Sequence, residues 1–237
     1  MKGSYAQAAE YYDLLYAEIK DYASEVERLG ELIREACPDA HRILDVGCGS
    51  GRHAELLVQA GFAVDGLDLE PEFVRLAQAR NPTGRFTVGD MTSFSVDEAY
   101  DAVLCLFGSI GYARDRQGLL TTVNRLAAAT RPGGVVVVEP WLEPADMKDG
   151  YVTMSSGRAP DLVVCRVSRT TVRDDISRLE FEYLVARPTG IERLSETHEL
   201  GLFPRDLMTS AFRQAGLRVS RDEEGLMGRG LYVAIRS

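Results

Sequence analysis

Along this chain, short runs of apolar residues alternate with segments in which apolar positions recur every three or four residues. The first 40 residues read as helical: Val26, Leu29, Leu32 and Ile33 recur at helical spacing, and Pro38 lies just beyond. Arg42 to Val46 is a short apolar run that predicts a strand and leads into Asp45-Val46-Gly47-Cys48-Gly49-Ser50-Gly51. A helix is expected from Arg52 to Ala60, with Gly61 as its C-terminal glycine. A second strand, Ala63 to Asp68, precedes a helix opened by Pro71 that carries Phe73, Leu76 and Ala77 on one face. Strands follow over Arg85–Val88 and Ala102–Phe107, then a helix marked by Leu119, Val123 and Leu126 that stops before Pro132-Gly133-Gly134. Val135–Val138 is another wholly apolar strand. Apolar strands without internal alternation, separated by helices, predict an α/β fold with a doubly wound, Rossmann-like, mostly parallel sheet.

After Trp141 the rhythm changes. Leu179, Phe181, Tyr183 and Val185 alternate with charged residues, and Val163, Cys165 and Val167 alternate similarly, a period of two that implies strands wet on one face. Pro188-Thr189-Gly190 is a turn signal. A small antiparallel insertion is expected over about 150–203, then a helix with Leu207, Ala211 and Phe212 inward, and a last strand from Leu231 to Ile235. His198 is expected on a strand surface. The whole chain, 1–237, reads as one domain, with a helical lid over about 1–40.

Charge and cysteine usage narrow the function. A net charge of −9 without any basic run argues against nucleic acid as a partner. Four scattered cysteines without a C-x-x-C pair, and only three histidines, argue against a disulfide framework and a structural zinc site, so no metal is expected. No stretch reaches the roughly 18 apolar residues of a membrane helix, and the N-terminus lacks an apolar signal core, so a cytoplasmic protein with no membrane partner is expected.

Candidate chemistry begins where the first strand turns into its helix. Asp45-x-Gly47-x-Gly49-x-Gly51 lets the backbone approach a ligand closely, although a tight strand–helix turn alone would also use glycines. The spacing differs from the G-x-G-x-x-G that seats a dinucleotide pyrophosphate. Asp68 ends the second strand, where a carboxylate can accept both hydroxyls of an adenosine ribose, or simply cap the helix at Pro71. Asp90 ends the third strand, placed to accept from an adenine amino group with Met91 against the ring, or to close a turn. Acids at successive strand ends, all on the carboxyl edge of one sheet, point to a nucleoside ligand.

The segments LDVGCGSG, GLDLEPEFVRLA, GDM and RPGGVVVVEPW resemble the motifs of class I methyltransferases that use S-adenosylmethionine. The N-terminal AEYYDLLY with its following KDY, FGSIGY, VVVVEPW and GRGLYVA further resemble the N,N-dimethyltransferases of TDP-linked amino-deoxysugars in macrolide biosynthesis. The resemblance implies S-adenosylmethionine as cofactor, held by Tyr12, Asp45, Gly47, Gly49, Asp68, Leu69, Asp90, Met91 and Leu106. It implies Tyr112 and Glu139 as groups that orient the amine or handle its proton, and Tyr5, Tyr22, Ser109, Trp141 and Arg229 on the acceptor side. Arg229 would meet the diphosphate, since a guanidinium matches phosphate oxygens in a bidentate way. Blander roles stay open: Glu139 as a partner for a lysine or arginine, Arg229 as an exposed hairpin residue, and the tyrosines as helix packing. The chain departs from the subgroup on the acceptor side, with Leu142-Glu143 after EPW and FGS for FSS. Rival readings are a methyltransferase for another small molecule, a nicotinamide-dependent oxidoreductase and a non-catalytic cofactor-binding protein. A homodimer is implied by the family and by the edge strands of the insertion.

Overall fold

The computed structural model describes residues 8–17 and 19–237. The N-terminal helical stretch is two helices, α1 (Ala9–Tyr16) and α2 (Tyr22–Ala36). Asp21 sets the start of the second by accepting the backbone N–H of Ser24 at 3.1 Å. The predicted alternation then follows as β1 (Arg42–Val46), α3 (Arg52–Gln59), β2 (Ala63–Asp68), α4 (Pro71–Arg80), β3 (Phe86–Val88), β4 (Tyr100–Cys105), α5 (Arg116–Ala129) and β5 (Thr130–Val138). Four long strands come next: β6 (Val152–Ala159), β7 (Leu162–Arg173), β8 (Ile176–Arg187) and β9 (Gly190–Gly201). The chain closes with α6 (Arg205–Gln214), β10 (Leu217–Asp222) and β11 (Leu231–Arg236).

Seven strands form one sheet in the order β10-β11-β5-β4-β1-β2-β3, and only β11 runs against the others. Successive residues of each central strand point to opposite faces, which is why these strands are apolar throughout. Leu44, Val103 and Val136 pack with Leu126 and Phe212 on one face. Ile43, Leu104 and Val137 pack with Leu29, Ile33 and Leu57 on the other. Thus α2 belongs to the core. The strand order reverses between β1 and β4, and the carboxyl ends of those two strands open a crevice at the switch point.

The second sheet is an antiparallel meander, β6-β7-β8-β9. Tyr11 and Leu15 of α1 pack on Val164, Phe181, Tyr183 and Val185 of its inner face. Three features differ from the sequence reading. The β7 register is opposite: Val164, Arg166, Ser168 and Thr170 are buried while Val163 and Val167 face out. Polar residues can face inward there because the guanidinium of Arg166 bonds Tyr16 Oη at 3.0 Å and stacks on Phe181. Pro132-Gly133-Gly134 lies within β5 as an irregularity, the register jumping from Tyr100↔Thr130 to Ala102↔Val135. Strand β10 is an edge strand with apolar residues only at Leu217 and Val219, too short an alternation to read in advance. No described helix is long and apolar enough to cross a membrane.

Candidate active site

The crevice is built from the glycine turn upward. Backbone N–H groups of Gly47 and Cys48 both donate to Leu67 O, at 2.8 and 3.0 Å, and pin the turn against β2. Gly47 has φ +76°, and a Cβ there would come within 2.9 Å of Ser109 Cβ. Gly49, at φ +53°, faces open space instead, so the turn forms a cradle that a side chain would fill.

Acids rim this cradle. Asp45, 2 % exposed, has its carboxyl pushed up to about 6, chiefly by burial. Asp68 accepts from Gly49 N–H and Glu70 N–H, both at 2.9 Å; burial nonetheless pushes it up to about 6 against those two bonds. Next to it Leu69 is 58 % exposed, an apolar side chain standing beside the crevice. Asp90 Oδ1 accepts the backbone N–H and the hydroxyl of Thr92, both at 2.7 Å, so this aspartate does close a turn. Met91 packs against the core, and buried Leu106 lines the crevice.

Tyr12, Tyr22 and Ser109 line the same crevice as Asp45, Gly47 and Gly49. Sequence reasoning set Tyr22 and Ser109 on the acceptor side; the fold brings them to the glycine turn as well. Tyr12 meets Phe73 edge-on with centroids 5.2 Å apart. Tyr5 lies outside the described residues. Lys20 was missed as a site residue, although it begins the KDY segment. Its ammonium is buried over the Phe107 ring at 3.9 Å and pairs with Glu25 at 2.8 Å, and Glu25 also bonds His53 at 2.8 Å. Burial lowers the pKa of this lysine, with Glu25 opposing.

Beyond β4 the chain turns sharply. Phe107 and Gly108 both have positive φ, 53° and 75°, and a Cβ on Gly108 would lie 2.8 Å from Trp141 Cε3. The wholly buried carboxylate of Glu139 accepts Phe107 N–H at 2.7 Å and Arg229 Nη2 at 2.9 Å. The Arg229 guanidinium also lies over Phe107 and Trp141, at 5.1 and 5.6 Å from the ring centroids. It is not the exposed hairpin residue that its two flanking glycines suggested. Trp141 Nε1–H donates to Ser177 Oγ at 3.0 Å, and Ser177 donates to Leu200 O at 3.1 Å.

Tyr112 sits on a 3₁₀ turn, Ser109–Ala113, after β4. Its hydroxyl lies 2.8 Å from His198 Nδ1 on β9. His198 is 1 % exposed, so the surface position expected for it is corrected: it lies on the inner face of the meander. A lone histidine between Thr197 and Glu199 carries no signal of that inward register.

A family model described as a methyltransferase domain matches residues 43–134. The chain is 38 % identical over 231 residues to dTDP-3-amino-3,6-dideoxy-alpha-D-glucopyranose N,N-dimethyltransferase of Streptomyces fradiae, covering 97 % of this chain and 91 % of that protein. This chain belongs to the sugar N,N-dimethyltransferases. Among solved structures, this methyltransferase superposes on Streptomyces venezuelae DesVI with a TM-score of 0.90 and 37 % identity, covering 97 % and 98 % of the two chains. It superposes on CalS10, an amino pentose methyltransferase from Micromonospora echinaspora solved with S-adenosylmethionine, with a TM-score of 0.85 and 37 % identity over 96 % and 97 %. Its cofactor is S-adenosylmethionine, and the open space at Gly49 beside the carboxylate of Asp68 leaves room for such a ligand.

Proposed function

We propose that this methyltransferase acts on the amine of a TDP-linked amino-deoxysugar. The observation that carries the reading is the match over nearly the whole chain to enzymes named for that reaction, which takes in the segments forming the acceptor side. Bound at the crevice, S-adenosylmethionine supplies an electrophilic methyl carbon. The protein's part is to hold a neutral nitrogen lone pair in line and exclude water. Phe107 and Trp141 supply rigid walls for a sugar ring. Glu139 and Tyr112 are the polar groups assigned to the amine and neighbouring hydroxyls, Asp45, Asp68, Leu69 and Asp90 to the cofactor, and Arg229, whose guanidinium also pairs with Glu139, to the diphosphate.

The test is calorimetric titration with S-adenosylhomocysteine, then with TDP in its presence. Binding of both supports the reading; binding of the first alone keeps the methyltransferase and moves the acceptor to another small molecule. A homodimer fits the outer face of the meander, where Met154, Val167, Leu184 and Ile191 are exposed together, and light scattering in solution tests it. The net charge of −9 supports a partner list without nucleic acid.

A further inference from the structure

Of the three histidines, His41 precedes β1 and His53 is held by Glu25, whereas His198 joins the two sheets. Its Nδ1 lies 2.8 Å from Tyr112 Oη, and its Nε2 lies 3.7 Å from Glu196 Oε2 on the same strand. Glu196 is held in turn by Tyr183 Oη at 3.1 Å and by Ala8 N–H at 3.2 Å. From β8 the Phe181 ring faces the imidazole at 4.9 Å, and Arg166 of β7 lies over that same ring at 4.6 Å. A carboxylate beside Nε2 favours the proton on that nitrogen, which leaves Nδ1 to accept and makes Tyr112 the donor. Phenol, imidazole and carboxylate thus stand in a row from the turn after β4 into the antiparallel sheet.

The geometry points to His198 as a positioning residue that receives, through Tyr112, the proton an acceptor amine must lose between two methyl transfers. The inference rests on the amine reading above. When a neutral primary amine attacks, an N–C bond forms as the S–C bond breaks, and the positive charge passes from sulfur to nitrogen. The product, a secondary ammonium, has no lone pair and cannot attack again until a proton leaves. That proton passes to Tyr112 Oη as the phenol's own proton moves to His198 Nδ1, and the resulting imidazolium faces Glu196. Glu139 is poorly suited to this task, because its carboxylate is already engaged by Arg229 and Phe107 N–H.

His198→Asn separates the two functions of the ring: it keeps an acceptor opposite Tyr112 but cannot bind a proton. In single turnovers with the primary and the monomethylated amino sugar, this variant should slow the second transfer at least tenfold more than the first. Monomethyl product should accumulate at neutral pH, and the deficit should shrink as pH rises. Asparagine matching wild type in both transfers would overturn the inference, because a purely structural hydrogen bond is rescued by that substitution. Tyr112→Phe should accumulate the same monomethyl product, and it serves if His198→Asn does not fold. A second readout needs no turnover: nitrogen-15 NMR of the His198 ring should find its proton on Nε2, with Nδ1 accepting from Tyr112, and a proton on Nδ1 would also overturn the relay. A wild-type enzyme that methylates no amino sugar would sink the acceptor reading instead, leaving the tautomer of the His198 ring to decide the relay.

Discussion

Arg229 donates to Glu139 at 2.9 Å, so the last loop of the chain is locked to the carboxyl end of β5 by a buried ion pair. Glu139 stands in VVVVEPW and Arg229 in GRGLYVA, 90 residues apart. The pairing makes two sequence motifs a single unit.

Glu139→Gln tests that unit. The amide keeps an acceptor for Phe107 N–H but leaves a nearly buried guanidinium without its counter-charge. Breaking one side of a buried pair costs about 3–5 kcal/mol. Denaturant unfolding should show a loss of that order, and TDP affinity should also change. The double variant Glu139→Gln/Arg229→Met should recover most of the stability but not the TDP binding. Equal stability of Glu139→Gln and wild type would mean that the pair does not hold the loop.

Cofactor affinity should depend on pH through Asp68. Ribose hydroxyls donate, so they need the ionised carboxylate, and in the free protein that group is pushed up to about 6. Above this value the site is charged and affinity should be flat. Below it, each unit of pH should weaken S-adenosylhomocysteine binding by up to about tenfold, because protonation competes with the ligand. Calorimetry from pH 5 to pH 8 checks this. Asp68→Asn should bind weakly throughout and lose the pH dependence.

Asp45 should oppose stability where it is ionised. Its carboxyl, raised by burial to about 6, binds a proton more tightly in the folded than in the unfolded chain. Its contribution is therefore most favourable below the unfolded value near 4 and is lost as pH rises through about 6. Asp45→Asn should stabilise the ligand-free protein at pH 8, by of order 2 kcal/mol, with little gain at pH 4. No pH-dependent gain would mean that the buried carboxylate is better solvated than its surroundings indicate.

The parallel half of the fold was legible because its strands are buried on both faces and leave uninterrupted apolar runs. The glycine turn and the strand-end acids were legible because local backbone geometry demands those residue types. The partners across the site were not. Nothing near His198 announces Tyr112, since a contact 86 residues long depends on the inward register of β9. The β7 register misled for the same reason. Cys165 and Val167 look like core, yet the meander's inner face buries Arg166, whose partner Tyr16 only the tertiary fold supplies. Lys20 was overlooked because a single charged residue between two helices ordinarily faces water.

A last prediction concerns α1, which we read as a lid over the crevice. Asp13 of α1 accepts Ser50 Oγ at 2.5 Å and Arg80 Nη2 at 2.6 Å, while Arg80 Nη1 donates to Ser50 O at 2.8 Å. Three elements, α1, the glycine turn and α4, meet in one triangle beside the crevice. Its groups are partly exposed, so the ion pair contributes only about 1 kcal/mol to global stability. The same energy acting on the lid alone has a larger visible effect, since about 1.4 kcal/mol is a tenfold change in a local equilibrium. Asp13→Ala should therefore unfold within about 1 kcal/mol of wild type yet release S-adenosylhomocysteine several-fold to about tenfold faster. Trp141, the only tryptophan, is a ready fluorescent reporter for stopped-flow dissociation. Asp13→Asn, which keeps an acceptor for Ser50 but loses the charge facing Arg80, should fall between the two. A variant that loses stability with an unchanged release rate would show that the triangle serves the fold and leaves the lid unaffected.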